Sequence, residues 1–123
     1  MRSAAAALLA LAALLAAAPA ALACSCRPRT EAQIIESADV VVVGAVTAVR
    51  RLPGDNLVVA TIEVARIVKG RVHRQLQVRT RDNSAACGVD FAEGQRVRVA
   101  ATRLNDGLHT NLCMALSPPR QPG

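Results

Sequence analysis

The sequence predicts an all-β domain: a small barrel of five strands, opened by a short helix and fastened by disulfides. Three observations carry this expectation. From residue 39 onward, segments rich in β-branched residues alternate apolar with polar positions and are separated by Gly, Pro, Asn and Asp clusters. Just before them, Thr30-x-x-Gln33 reads as a capping box for a helix over residues 31–37. Finally, four cysteines, an even number, all follow residue 23, which in a small exported domain implies a disulfide framework.

Export is itself an expectation from composition. Residues 4–23 contain only Ala and Leu apart from Pro19, and Arg2 supplies a short basic start. Ala21-Leu22-Ala23 places small residues at −3 and −1 of a cleavage site. The run approaches the roughly 20 residues of a membrane span. Pro19, the excess of Ala over Leu and the Ala-x-Ala site favour a cleaved signal peptide over residues 1–23. The remaining 100 residues suit one small domain, 24–116, followed by a Pro-rich tail, 117–123, expected to be disordered.

The first strand is expected at 39–50, an almost unbroken Val run interrupted by Gly44, which marks a bulge or a bend. Pro53-Gly54-Asp55-Asn56 is a turn. The second strand is expected at 57–68, with Ala60, Ile62 and Val64 on its apolar face. A phase slip then puts Ile67 on that face, as one bulge would. The third, 75–81, alternates Leu76, Val78 and Thr80 against Gln and Arg. The fourth, 95–103, alternates Val97 and Val99 against Arg96 and Arg98. Asn105-Asp106-Gly107 signals a hairpin into a fifth strand ending at Cys113. Five short strands with bends for closure fit an OB-type barrel.

Of the 15 Lys and Arg, only Arg2 precedes residue 24, and all nine Asp and Glu follow it, so residues 24–123 carry +5. That suits an acidic protein or a polyanion as partner; equally, alternating Arg is what the outer face of a strand looks like. Several function classes find no support. No Ser/His/Asp or Cys/His pair lies in a catalytic context, so an enzyme is not expected. There is no glycine-rich phosphate loop. Phe91 is the only aromatic, which leaves nothing for bases to stack on. Neither His73 nor His109 has the spacing of a structural zinc site.

Cys24-Ser25-Cys26 is the distinctive motif. After cleavage at Ala23, Cys24 carries a free α-amine, a carbonyl and a thiol. The first two can chelate a metal ion, and the third can tie the chelate to the domain. Pairing Cys24 with Cys26 would close a very small strained ring. The two remaining connectivities both fasten the N-terminal tripeptide to Cys87 and Cys113. A Cys at the cleavage site also fits lipoprotein processing, which would anchor the protein and remove the free amine. Secreted, envelope-held and lipid-anchored locations are all consistent with this leader.

Four segments together resemble the tissue inhibitors of metalloproteinases, within the wider netrin-like group of OB barrels. They are Cys24-Ser25-Cys26-Arg27-Pro28, Ser37-Ala38-Asp39-Val40-Val41, Ser84-Ala85-Ala86-Cys87-Gly88-Val89 and Asp106-Gly107-Leu108-His109-Thr110-Asn111-Leu112-Cys113. Their order and approximate spacing agree over residues 24–116. The resemblance implies disulfides Cys24–Cys87 and Cys26–Cys113. It implies a monomeric protein whose partner is a zinc metalloprotease. The Cys24 amine and carbonyl would bind that protease's catalytic zinc, and Ser25 would enter its specificity pocket. Cys26, Arg27, Pro28, Ser84, Ala85 and Ala86 would complete the contact wedge. The chain would have no cofactor of its own. It departs from the family at Glu36, where a further Cys is usual, and at Thr30-Glu31-Ala32. It also has a short turn at Gly54 and lacks a second, disulfide-rich domain.

Overall fold

The computed structural model describes residues 6–9 and 24–120. Apart from residues 6–9, the expected signal peptide lies outside the described residues, as does the tail beyond 120.

Helix α1 spans Glu31–Ser37. Its start is the capping box: Thr30 Oγ1 accepts from the Gln33 amide at 3.1 Å, and Gln33 Oε1 accepts from the Thr30 amide at 2.9 Å. Its end is held from outside, because Lys69 Nζ donates to the Ile35 and Glu36 carbonyls at 3.0 and 2.7 Å. A cation at the last, otherwise unpaired carbonyls also complements the helix dipole.

Five strands follow: β1 Val40–Leu52, β2 Leu57–Lys69, β3 Gln75–Arg81, β4 Arg96–Leu104 and β5 Gly107–His109. They form one sheet that closes on itself in the order β1-β2-β3-β5-β4 and back to β1. Every neighbouring pair is antiparallel except β3 with β5. Closure works because β1 is long and coiled. Its first half pairs with β4 from Val40 to Ala45, while it pairs with β2 from Val41 to Leu52. The β1–β2 register shifts at three places, one of them between Val43 and Gly44. A Cβ at Gly44 would collide with the Glu63 carbonyl oxygen of β2. Gly44 is therefore a point of close strand approach as well as of bending.

The Val run makes sense once both faces of β1 are covered. Val40, Val42 and Val46 point into the ring with Ile62, Val78, Phe91, Val97 and Val99. Val41 faces outward into a second cluster with Ile34 and Ala38 of the α1 region, Ala100 and Met114. A strand buried on both faces reads as continuous apolar sequence.

Two expectations need correction. Ile67 is 46% exposed. The slip exists, since the pairing skips Ala65 and Val68, but β3 pairs with β2 only as far as Glu63. Beyond Glu63, β2 is thus paired with β1 alone among the strands, and Ile67 stays partly exposed. The fifth strand stops at His109 rather than reaching Cys113. Thr110 turns inward, where its hydroxyl donates to the Ala100 carbonyl at 2.7 Å, and Leu112–Met114 forms a 3-10 turn. Ser117, assigned to the tail from sequence, is held to the domain. Its amide donates to Glu31 Oε1 at 2.7 Å, and its carbonyl accepts from Arg98 at 3.3 Å.

Candidate functional site

Three separate pieces of chain meet at one end of the ring: residues 24–28, the turn Ser84–Ala86, and the turn Leu112–Met114. Each turn is shaped by an asparagine. The Asn83 side chain accepts from the Ala86 amide at 2.9 Å, and that of Asn111 from the Cys113 amide at 2.9 Å. After Ser84–Ala86, Cys87 adopts left-handed backbone (φ 63°). Gly88 then follows the chain so closely that a Cβ would meet the Arg81 and Asn83 carbonyls. The Leu112 amide donates to the Cys87 carbonyl at 2.8 Å and joins the two turns. Beneath them, the buried hydroxyl of Thr80 accepts from the Val89 amide at 2.9 Å.

The N-terminal tripeptide is riveted across this platform by disulfides Cys24–Cys87 and Cys26–Cys113, with Cα separations of 5.1 and 5.2 Å. The bridges lie side by side, with Cys87 Sγ and Cys113 Sγ 4.0 Å apart. Between them Ser25 is exposed, and so are Cys26, Arg27 and Pro28. Ser84, Ala85 and Ala86 are exposed next to Cys87. The eight residues singled out from sequence thus make a ridge of two segments joined by the Cys24–Cys87 bridge, exposed except at the half-buried Cys24. Both His residues lie off it. His73 is exposed between β2 and β3. His109 pairs with Asp106 at 2.6 Å, and that contact holds the Asp106 carboxyl below its usual range.

Two further residues shape the ridge. Arg29 donates from one guanidinium nitrogen to Ser37 Oγ at 3.1 Å and from another to the Cys113 carbonyl at 3.2 Å. It thus locks the segment behind Pro28 to α1 and to the second turn. No local sequence signal marks a contact spanning 84 positions. Leu112 is 39% exposed beside Cys113 and adds an apolar contact to the ridge. Asn83 and Asn111 were open to recognition, since Asn favours capping a following turn through its side chain.

The ridge's exposed residues are mostly small, Ser25, Ser84, Ala85 and Ala86, with Pro28 and Leu112 also exposed. A cleft of about 180 Å³ lies between β4 and the segment after Met114, lined by Phe91, Val97, Val99 and Leu116 among others. No helix among the described residues is long and apolar enough to cross a membrane. No family model matches the chain, and no curated protein matches it.

Proposed function

We propose that this protein is a metalloproteinase inhibitor of the tissue-inhibitor kind on a netrin-like OB barrel. The observation that carries the reading is the Cys24-Ser25-Cys26 tripeptide, half-buried at Cys24 and exposed at Ser25 and Cys26, crosslinked at both ends to the two asparagine-capped turns. The ring order β1-β2-β3-β5-β4 and the five-strand count support the OB assignment.

The mechanism follows from coordination chemistry. A catalytic zinc keeps one position open for water, with nitrogen ligands at about 2.0–2.1 Å. A processed chain presents the Cys24 amine and carbonyl as a five-membered chelate that displaces that water. The amine must be neutral to bind, and an ordinary α-amine pKa of about 7.7–8.0 makes that inexpensive near neutrality. Ser25 is the side chain aimed past the metal, small enough for the mouth of a pocket. Two disulfides and the Arg29 clamp fix the chelate before binding, which removes most of the ordering cost.

The test is to assay the mature protein, starting at an unmodified Cys24, against a panel of zinc endopeptidases. Inhibition of some members is expected, and Ser25→Gly should change which members are inhibited while leaving the chelate intact. No inhibition across the panel would reject the reading.

A second reading, a netrin-like module that binds an acidic protein or polyanion, has one specific observation behind it. A cleft of about 460 Å³ away from the ridge has Arg71, His73, Gln75, Gln77 and Arg103 in its lining, beside the apolar Val72, Leu76 and Leu108. Retention on a sulfated-polysaccharide resin that falls steeply with salt would support it; no retention at low salt would dispose of it.

A further inference from the structure

The two disulfides bring four sulfur atoms to one point, all within 4.8 Å of one another. We infer that, when both bridges are reduced, Cys24, Cys26, Cys87 and Cys113 form a tetrathiolate site for one thiophilic cation such as Zn²⁺. This is independent of the inhibitor reading, because the metal-bound and crosslinked forms are alternative states of the same four sulfurs.

The geometry fits. Zinc–sulfur bonds of about 2.3 Å in a tetrahedron put neighbouring sulfurs about 3.8 Å apart. Cys87 Sγ and Cys113 Sγ already stand 4.0 Å apart. They sit on the two asparagine-capped turns, tied together by the Leu112–Cys87 backbone bond. They are half of a site, held on turns that the fold brings together. The other half, Cys24 and Cys26, lies on the N-terminal segment, the part of the ridge outside any strand or helix. Opening each bridge from a bonded S–S distance of about 2.0 Å to about 3.8 Å is a movement that segment can supply.

One cation stands close enough to offset part of the charge. A divalent ion with four thiolates carries two net negative charges, and the Arg29 guanidinium donates to the Cys113 carbonyl at the edge of the cluster. Three of the four cysteines are partly buried, which limits solvent competition for the sulfurs.

The chemistry balances. A dithiol reductant gives each bridge two electrons and two protons and leaves as its own disulfide. Metal entry then displaces four thiol protons. A chain awaiting export is in a reducing compartment, where this form is the available one.

The experiment uses the chain from Cys24 to Gly123, reduced without air by a phosphine, which takes its oxygen from water. Co²⁺ is titrated in, followed by Zn²⁺. The expected result is one Co²⁺ per chain, with thiolate charge-transfer absorption for four sulfurs and the intense visible bands of a tetrahedral ion. Zn²⁺ should displace it, four protons should be released per metal, and the reduced protein should unfold at a higher temperature with metal than without. Cys87→Ser should leave a three-sulfur spectrum and weaken binding at least tenfold. If the reduced apoprotein is unfolded, metal addition should restore its β signature. Fewer than four thiolates per metal, unchanged affinity in Cys87→Ser, or equal affinity in denaturing urea would each overturn the assignment.

Discussion

Removing either disulfide should cost nearly the same stability, although the loops differ. Cys24–Cys87 spans 63 positions and Cys26–Cys113 spans 87. Taken singly, the chain-entropy model assigns them about 4.3 and 4.6 kcal/mol. They are not independent, because both begin in the same tripeptide. With one bridge closed, the other closes only the circuit made of residues 24–26 and 87–113, a loop of about 30 residues worth about 3.6 kcal/mol. Cys24→Ser/Cys87→Ser and Cys26→Ser/Cys113→Ser should therefore each lose about 3.6 kcal/mol, and the four-Ser variant about 8 kcal/mol. Against a typical net stability of about 5–15 kcal/mol, the single-bridge variants stay folded and the four-Ser variant is marginal. Urea unfolding followed by far-ultraviolet circular dichroism measures all three. At an m-value of about 1 kcal/mol/M, each single removal lowers the midpoint by about 3–4 M. Losses below about 1 kcal/mol, or a Cys26–Cys113 removal costing over 1 kcal/mol more than the other, would refute the shared-circuit reasoning.

Other perturbations test the fold directly. Gly44→Ala should destabilise by roughly 1–3 kcal/mol, because the new methyl meets the Glu63 carbonyl backbone and cannot push it aside. Gly94→Ala, with open space but φ +83°, should cost only the left-handed strain of about 1–2 kcal/mol; equal unfolding midpoints for Gly44→Ala and the native protein would contradict the close approach. Glu31 is held below its ordinary pKa by the Ser117 amide first and by Arg98 as well. A depressed carboxylate pKa contributes stability that is present above the unfolded value and lost as pH falls through the folded one. Carboxyl titration by NMR should therefore find Glu31 below the usual glutamate range, with the Ser117 amide signal moving at the same midpoint. An ordinary Glu31 midpoint, or a Ser117 amide indifferent to it, would remove this contact from the account.

Much of the ring was legible because its signals are local. The Thr30/Gln33 box set α1, the alternation of Leu76, Val78 and Thr80 set β3, and Gly44 announced the bend in β1. The ends of elements were less legible where distant parts decide them. Ile67 stays exposed because β3 ends its pairing at Glu63, and β5 is cut short because Thr110 finds the Ala100 carbonyl. The ridge divides in the same way. Its residues were visible as Cys-x-Cys and the segment before Cys87. Arg29, which clamps them, acts through folding-dependent contacts that no nearby residue foreshadows. The closeness of the two bridges is likewise a product of the ring bringing Cys87 and Cys113 together.

The central claim is that the α-amine of Cys24 ligates a partner's zinc. Adding one Ala before Cys24 moves the amine by about 3.3–3.6 Å and turns the former ligand into an amide nitrogen. The decisive measurement is the inhibition constant of the Ala-extended protein beside that of the native one, against a susceptible zinc protease. Matching circular dichroism and disulfide maps would show that both proteins have the same fold and bridges. The account predicts that inhibition disappears with the extension; an Ala-extended protein that inhibits as well as the native one would contradict it.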